Sequence, residues 1–467
     1  MNLDKTAIQR AFKAYDVRGK IPSELNEDVL KKIGNCFARF IGRHRGKIVI
    51  GYDVRPTSEP FARALTAGVT DAGVNVLDIG LVGTDMVYHA AAYYHCDGGV
   101  MITASHNPAD YNGLKFVRES AIAISEDSGL RSILTMVLND EYAVSSYKGR
   151  IEKKSSLNDY LNHILSFISL SKISKLKIVL NGGNGCAGIV LPELMKRIPQ
   201  IKSVPVFWTL DGSFPNGIPN PLLPERREET AKKVRESKAH LGVAWDGDFD
   251  RCFFYDEEGT FVEGYYIVAL FGEHFSRRER GAKIIHDPRL VWATREAVTA
   301  AGGTPIQCKA GHAFIKERMR VERASYAGEM SAHHYFHRNY YADNGMIPFL
   351  LLLEILSERK TTLKNLVQEW TRRFPVSGEV NIFVKNPQMI LKKIEEVYST
   401  GSKEKESSII DHTDGVSIEF PRWRMNLRIS NTEPVIRLNV EARNERDLME
   451  KKRDEILQII SNLDKSV

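Results

Sequence analysis

The chain has 467 residues, of which 43% are hydrophobic and 27% charged, with a formal net charge of +6. This length exceeds what one core holds, and no apolar run reaches membrane-spanning length or forms a signal-peptide core, so we expect several domains, a cytoplasmic protein and no membrane partner. Five scattered cysteines without a Cys-x-x-Cys pair argue against disulfides and zinc, and the dispersed Lys and Arg argue against nucleic acid.

An internal repeat of strand and helix patterns runs through the first three quarters of the chain. Each repeat opens with a β-branched strand, at residues 47–53, 177–183 and 283–287, and continues with a helix and a second strand. This alternation is typical of βαβ crossovers and mainly parallel sheets, so it predicts three similar domains. The alternative is that three αβ segments look alike because few such patterns exist.

A further strand pattern in each repeat ends in polar residues: Ser105 follows residues 99–103, Asp246 follows 241–245 and Glu329 follows 324–328. Ligands of open α/β sheets bind beyond the carboxyl ends of strands, so we expect one functional loop per domain, facing a shared cleft.

The last hundred residues differ from these three repeats. Three antiparallel strand patterns within 416–440 and an amphipathic helix over 445–463 predict a fourth, α+β domain.

The first loop is the stretch Thr103-Ala104-Ser105-His106-Asn107-Pro108. A serine hydroxyl is a weak nucleophile that needs positioning and neighbouring charge, and here His106 is adjacent and Lys115 follows ten residues later. Asn107 and Pro108 predict a tight turn that holds Ser105 outward. The alternative is a serine that serves only the turn.

The second loop contains Asp246, Asp248 and Asp250, whose side chains would share one face of an extended segment. Two carboxylates 4 Å apart repel each other by roughly 4 kcal/mol at an effective dielectric near 20. A hard divalent cation removes that cost, and all-oxygen ligands suit Mg²⁺. The spacing also resembles the start of an EF-hand loop, but Arg251 stands where that loop needs glycine. We therefore predict a metal site for phosphoryl transfer.

The third loop offers Glu329 and Ser331, whose acceptor and donor groups suit vicinal sugar hydroxyls. The neighbouring pair His333 and His334 is a weaker metal candidate, because adjacent strand residues point apart.

Nearer the C-terminus, arginine, hydroxyl and amide groups around a turn predict a phosphate site, although such turns also occur without a ligand. Its residues are Arg428, Ser430, Asn431 and Thr432, with Arg437 on the next strand.

Together these segments resemble the α-D-phosphohexomutase family, whose motifs match residues 12–19, 103–108, 246–251, 328–333 and 428–434 in order. The resemblance implies an α/β protein with three similar mixed αβα-sandwich domains plus a C-terminal α+β domain around a central cleft. We place the domains at residues 1–153, 154–256, 257–371 and 372–467.

The resemblance also implies a role for each matching residue. Ser105 is expected to be the phosphoserine, and its phosphate with Asp246, Asp248 and Asp250 the Mg²⁺ ligands. The expected catalytic neighbours are Lys115, Arg18, His106 and Arg251. The expected substrate-binding residues are Tyr15, Arg289, His312, Glu329, Ser331, His333, Arg428, Ser430, Asn431, Thr432 and Arg437. Outside the resemblance, the stretch around Arg18 could equally be a surface salt bridge.

The implied reaction interconverts the 1- and 6-phosphates of a hexose through a 1,6-bisphosphate, which would also act as activator. Met330 in the third loop favours the members that use mannose and supply GDP-mannose synthesis, while use of glucose as well, or mainly glucose, stays open. Phe249 departs from the glycine that is common at its position. We expect a monomer or weak dimer. A serine-dependent phosphatase and a non-catalytic sugar-phosphate sensor are the competing functions.

Overall fold

The computed structural model describes residues 3–43, 45–399, 408–429 and 435–465. The chain divides into two compact units, described in turn below: unit 1 comprises Met1–Phe261 and His333–Leu363, and unit 2 comprises Val262–Ala332 and Lys364–Val467. Across the described ranges, no helix is both long enough and apolar enough to cross a membrane.

Unit 1 begins with a six-stranded mixed sheet. Its elements are α1 (Lys5–Ala11), β1 (Val17–Lys20), α2 (Glu27–Ile41), β2 (Lys47–Tyr52), α3 (Ser58–Asp71), β3 (Asn75–Leu81), α4 (Thr84–Tyr93), β4 (Gly98–Ile102), β5 (Tyr111–Arg118), α5 (Arg131–Leu138) and β6 (Ile151–Lys153). The strand order is β1-β5-β4-β2-β3-β6, in which β2 lies parallel to β3 and β4, while β5 is antiparallel to β4 and β1. The predicted crossover is present, and the antiparallel edge was not predicted.

A second sheet follows in unit 1. Its elements are α6 (Leu157–Leu165), β7 (Leu176–Asn181), α7 (Ala187–Lys196), β8 (Ile201–Val206), α8 (Glu228–Ser237), β9 (Leu241–Trp245), β10 (Cys252–Tyr255) and β11 (Phe261–Val262). Strand β7 lies parallel to β8 and β9, and β10 pairs antiparallel with β9 so that Trp245 is opposite Cys252. The aspartate loop therefore joins the two strands of a hairpin.

Unit 2 begins with the third repeat. Its elements are α9 (Gly264–Arg278), β12 (Lys283–His286), α10 (Trp292–Ala300), β13 (Thr304–Gln307), α11 (His312–Glu322) and β14 (Tyr326–Gly328). Strand β12 lies parallel to both β13 and β14, which is the predicted crossover arrangement.

The chain then returns to unit 1 with β15 (His334–Phe336) and α12 (Met346–Arg359). Residues 346–357 of α12 are all buried. Just before α12, Gly345 accepts a 2.8 Å hydrogen bond from the indole of Trp245 and donates one of 2.8 Å to Asp85. These bonds tie the end of β9, and hence the start of the aspartate loop, to the beginnings of two helices.

Unit 2 ends in an antiparallel sheet with helices packed on it. The elements are α13 (Leu363–Arg373), β16 (Val380–Phe383), α14 (Pro387–Ser399), β17 (Ile409–Asp411), β18 (Val416–Glu419), β19 (Trp423–Ile429), β20 (Val435–Ala442) and α15 (Arg446–Lys465), with strand order β16-β20-β19-β18-β17. Within unit 2, the fully buried Glu441 of β20 accepts hydrogen bonds from Arg424 at 2.9 Å, Tyr265 at 2.6 Å and the backbone of Val291 at 2.8 Å. The carboxylate thus fastens this sheet to α9 and α10.

Two buried glycines allow α2 and α3 to pack closely against each other. A methyl group built on Gly68 would lie 1.9 Å from the carbonyl oxygen of Lys31, and one on Gly34 would lie 2.3 Å from that of Leu65. Because both obstacles are backbone atoms, a larger residue at either position must push the helices apart.

We predict that Gly68→Ala destabilises the protein by about 2 kcal/mol or more, because overpacking outweighs the roughly 1 kcal/mol by which alanine favours a helix. Urea unfolding monitored by circular dichroism measures the effect. Arg63→Ala, on the exposed face of the same helix, is the control and should change stability by no more than about 0.5 kcal/mol. An unchanged or higher urea midpoint for Gly68→Ala would contradict the packing argument.

Candidate active site

Ser105 lies in the turn directly after β4 and has a left-handed backbone, with φ of +50°. Its backbone N–H donates to Thr103 Oγ1 at 2.8 Å, and its hydroxyl donates to Asp246 Oδ2 at 2.9 Å. The expected outward orientation is wrong, because Ser105 is only 4% exposed. A non-glycine residue in this conformation is strained and persists only where its surroundings hold it.

Arg55 provides much of that restraint. Its fully buried guanidinium donates to the carbonyl oxygens of Ser105 at 2.9 Å, Asn107 at 2.6 Å, Pro108 at 2.7 Å and Tyr111 at 3.1 Å. A planar guanidinium with five donors can hold several acceptors in one fixed arrangement. The sequence analysis missed Arg55, although it follows β2 at the same sheet edge as the serine loop.

Asp53 connects the Arg55 guanidinium to the turn that contains Ser105. Its carboxylate lies 3.3 Å from Arg55 Nε and accepts a 2.7 Å hydrogen bond from the Thr103 hydroxyl, which in turn accepts from the Ser105 N–H. The position of Ser105 therefore depends on a buried network anchored at the end of the neighbouring strand.

The three aspartates converge through a turn. Asp246, Asp248 and Asp250 are buried, and one oxygen from each lies within 4.8 Å of the others. The expected extended segment is wrong, because the residues between β9 and β10 reverse direction with Phe249 at φ +49°. The ring of Phe249 lies against Gly83, where a methyl group would be only 2.0 Å from the nearest ring carbon.

Two cations balance these carboxylates. Lys115 Nζ donates to Asp248 at 2.7 Å and to Asp250 at 2.5 Å, and Arg251 Nε donates to Asp246 at 2.7 Å. Burial acts to lower the pKa of Lys115, but the two carboxylates more than offset it and hold that pKa well above its ordinary value. Burial raises the pKa of Asp246 to about 6, against the opposing effect of Arg251.

The aspartate cluster fits a hard divalent cation. Its donors are all carboxylate oxygens, which are the ligands that Mg²⁺ prefers. Oδ1 of Asp248 is buried and has no hydrogen-bond partner among the residues that the structure describes, so it retains an acceptor for a metal. Three carboxylates also exceed the two cations that contact them.

His106 and Arg18 border the serine. His106 Nδ1 lies 3.1 Å from the Ser105 hydroxyl and 2.6 Å from an Arg251 nitrogen. Burial, followed by the charges of Arg251 and Arg18, lowers the pKa of His106 well below its ordinary value, so the ring is neutral at pH 7. Arg18 donates to Asn107 Oδ1 at 2.7 Å and interacts electrostatically with Tyr15. Arg18 therefore contacts the serine loop directly, and Tyr15 lies within electrostatic range of Arg18.

His333 contacts the aspartate loop of unit 1. Its Nε2 is 3.5 Å from Asp250 Oδ1, and its backbone forms an isolated bridge with Arg251. His333, Asp250 and the buried Asp343 can bring one ligand atom each to within 4.8 Å of the others. The sequence pattern gave no indication of Asp343.

In unit 2, Arg289 lies close to the predicted sugar-binding side chains Glu329 and Ser331. Its guanidinium holds Asp287 through two bonds of 2.9 and 2.8 Å, and lies 3.5 Å from Glu329 and 3.4 Å from the Ser331 hydroxyl. Glu329 also accepts from the backbone N–H of Gly311 at 3.0 Å. The arrangement keeps a carboxylate and a hydroxyl beside one fixed cation.

The predicted phosphate-binding arginines also belong to unit 2. Arg428 and Arg437 are directly opposite each other on β19 and β20, and both lie near Glu379, which also approaches Arg289. His312 begins α11, directly after the glycine that bonds Glu329. The remaining predicted residues of this loop lie outside the described residues: Ser430, Asn431 and Thr432.

Comparisons with known proteins identify four family domains along the chain. Models for "Phosphoglucomutase/phosphomannomutase, alpha/beta/alpha domain" I, II and III match residues 9–143, 158–259 and 263–374, and the model for the C-terminal domain matches residues 379–459. The predicted fold class of three similar αβα domains followed by a different fourth is therefore confirmed.

Individual relatives extend over nearly the whole chain. A phosphomannomutase from Escherichia coli is 49% identical over 456 residues, covering 96% of this chain and 98% of that protein. A protein from Xanthomonas campestris described as "Phosphohexose mutases" is 48% identical and covers 96% and 99%. The crystal structure of a phosphoglucomutase/phosphomannomutase family protein from Burkholderia thailandensis is 28% identical, with a TM-score of 0.87 and coverage of 99% and 98%. The chain thus belongs to the phosphoglucomutase/phosphomannomutase family and is an enzyme of the isomerase class.

Proposed function

We propose that the protein interconverts mannose 6-phosphate and mannose 1-phosphate through a phosphorylated Ser105. The observation that carries this proposal is the Ser105 hydroxyl, which donates at 2.9 Å to one of three converging buried aspartates. Phosphoryl transfer requires positioning and charge neutralisation above all, and this site provides both. The mannose substrate is supported by the names of the relatives that are nearly half identical.

In the first step, phosphoserine 105 loses its phosphoryl group to the free hydroxyl of a hexose monophosphate. The bond between phosphorus and Oγ breaks, a bond from phosphorus to the sugar oxygen forms, and the proton of the sugar hydroxyl ends on Oγ, which becomes the free serine hydroxyl. The resulting 1,6-bisphosphate returns its other phosphoryl group to Ser105, which restores the enzyme. A trace of hexose 1,6-bisphosphate would therefore prime an unphosphorylated enzyme.

The residues around Ser105 have distinct proposed roles. Asp246, Asp248 and Asp250, with the serine phosphate, would hold Mg²⁺, which when bound supplies Lewis-acid stabilisation of the transferring group. Lys115 is held in its charged form by the aspartates and so acts as a cation. Arg251 and Arg18 are the remaining positive groups beside the serine loop. Neutral His106 can accept a hydrogen bond on Nδ1, which faces Arg251 at 2.6 Å.

The proposed sugar- and phosphate-binding residues include several in unit 2. Glu329 and Ser331 offer an acceptor and a donor to sugar hydroxyls, and Arg428 and Arg437 offer charge to the phosphate that is not reacting. Tyr15, Arg289, His312 and His333, with residues 430–432, complete the proposed binding set. We also propose domain limits near residues 153, 256 and 371, a cytoplasmic location and a product that feeds GDP-mannose synthesis.

The substrate assignment predicts which sugar phosphate reacts first. With Mg²⁺, a trace of hexose 1,6-bisphosphate and equal mannose 1-phosphate and glucose 1-phosphate, phosphorus NMR should show the mannose signal moving to the 6-phosphate first. The glucose rate then tells whether the enzyme uses both sugars. If neither signal moves while Ser105 is phosphorylated, another sugar or the sensor function replaces this assignment.

Ser105→Ala should reduce isomerisation by roughly 10³-fold or more, because the group that carries the phosphoryl intermediate is gone. Intact-protein mass spectrometry should find no added phosphate after incubation with bisphosphate. Ser213→Ala, which removes an exposed serine hydroxyl of the same unit, is the matched control and should keep full activity. Stoichiometric release of inorganic phosphate by the wild type would instead identify a phosphatase.

The metal assignment predicts a loss of activity on chelation that Mg²⁺ reverses. Asp248→Asn should raise the Mg²⁺ concentration for half-maximal activity by about tenfold or more, since outer-shell changes alone reach that size. Asn retains an oxygen that can still accept a hydrogen bond from Lys115. Asp211→Asn, at a partly buried loop aspartate outside the cluster, should leave the Mg²⁺ requirement unchanged. A chelator-resistant wild type would exclude a metal-assisted mechanism.

A further inference from the structure

Glu379 occupies a central position among three arginines of unit 2. Its carboxylate lies 3.2 Å from Arg428, 3.5 Å from Arg437 and 3.5 Å from Arg289. The sequence analysis did not single it out, because it lies about fifty residues before Arg428 with no motif around it. The positive charges lower the pKa of this carboxyl despite the opposing effect of burial, so Glu379 is ionised at neutral pH.

The arginine pair needs a nearby anion. Arg428 and Arg437 are directly opposed in the register of β19 and β20, and like charges at opposed positions of an antiparallel pair repel each other. Arg289 adds a third positive charge, although Asp287 already holds it through two short bonds. Some negative charge must therefore lie among these guanidinium groups whether or not a phosphate is bound.

Glu379 supplies this negative charge, but its ion pairs with the arginines are long. Its three contacts are at or beyond the upper limit of hydrogen-bond distance, whereas Arg289 and Asp287 meet at 2.8 and 2.9 Å. The side chains of Glu379, Arg428 and Arg437 are 19%, 11% and 26% exposed, so solvent can reach the cluster. A phosphate has three acceptor oxygens and pairs with arginines through short bidentate bonds, which a shared carboxylate does not form here.

We propose that Glu379 is an internal substitute for phosphate. It neutralises Arg428, Arg437 and Arg289 in the free enzyme and gives them up when the non-reacting phosphate of a hexose phosphate binds. This competition weakens phosphate binding while it keeps the arginines in place. Weaker binding favours release of the bound phosphate group. Release is required because the bisphosphate intermediate must present each of its two phosphates to Ser105 in turn.

Glu379→Gln and Glu379→Ala test this proposal, since both remove the competing charge. Binding of inorganic phosphate, measured by isothermal titration calorimetry, should tighten by about fivefold or more in either variant, which is the lower end of typical coupling between two sites. The gain should shrink as salt is added, because screening weakens the contribution of a solvent-accessible charge. The KM for mannose 1-phosphate should fall in parallel, without a rise in kcat.

Glu445→Gln is the matched control. Glu445 also pairs with an arginine of unit 2, Arg422, but at an exposed position away from this cluster, so its loss should not alter phosphate affinity. Equal or weaker phosphate binding by folded Glu379 variants would overturn the proposal and leave Glu379 a structural organiser of the arginines. Failure of both variants to fold, monitored by thermal unfolding, would overturn it as well, because a carboxylate that yields to phosphate cannot be essential to the fold.

The inference rests on the proposed function for the identity of the substrate, but the binding measurement involves no turnover. If phosphate binds the variants more tightly while the wild type isomerises no hexose phosphate, the role of Glu379 stands and the proposed function fails. If the wild type isomerises mannose 1-phosphate and phosphate affinity is unchanged, the reverse holds.

Discussion

The structure around Ser105 depends on keeping three carboxylates together in a buried pocket. Asp246, Asp248 and Asp250 repel one another, and the chain offsets that repulsion with Lys115 and Arg251. These cations come from different places, one from a strand of the first sheet and one from the end of the aspartate loop itself. Lys115 of the first sheet must therefore meet the aspartates of the second sheet to offset their charge. This electrostatic contact joins the two sheets of unit 1 in addition to apolar packing.

Much of this arrangement could be predicted from the sequence because its determinants are local. Alternating β-branched and helical stretches specify the crossovers, and polar residues after each strand specify the loops. The motif around Ser105 and the aspartates is local too, and Lys115 and Arg251 contact the aspartates in the structure. The content of each loop could therefore be predicted from neighbouring residues.

The conformation of those loops was harder to predict because it depends on distant residues. Ser105 faces inward because Arg55, fifty residues away, holds the carbonyl groups of its turn. The aspartates converge through a turn because Phe249 adopts a left-handed conformation that β-strand spacing does not suggest. Glu379 carries no motif, and its place among the arginines follows only from the register of two strands. Each miss involves a contact distant in sequence, where periodicity carries no information.

The packing of Phe249 against Gly83 has a consequence for how this chain can change over evolutionary time. The aromatic ring fills the space that any side chain at position 83 would need, so the two positions are not independent. A chain with glycine at position 249 would lack this obstacle to a side chain at position 83, whereas this one has it. Substitutions that are neutral in one lineage of such enzymes would then be harmful in another, and the order in which the two changes arise would decide which lineages remain viable.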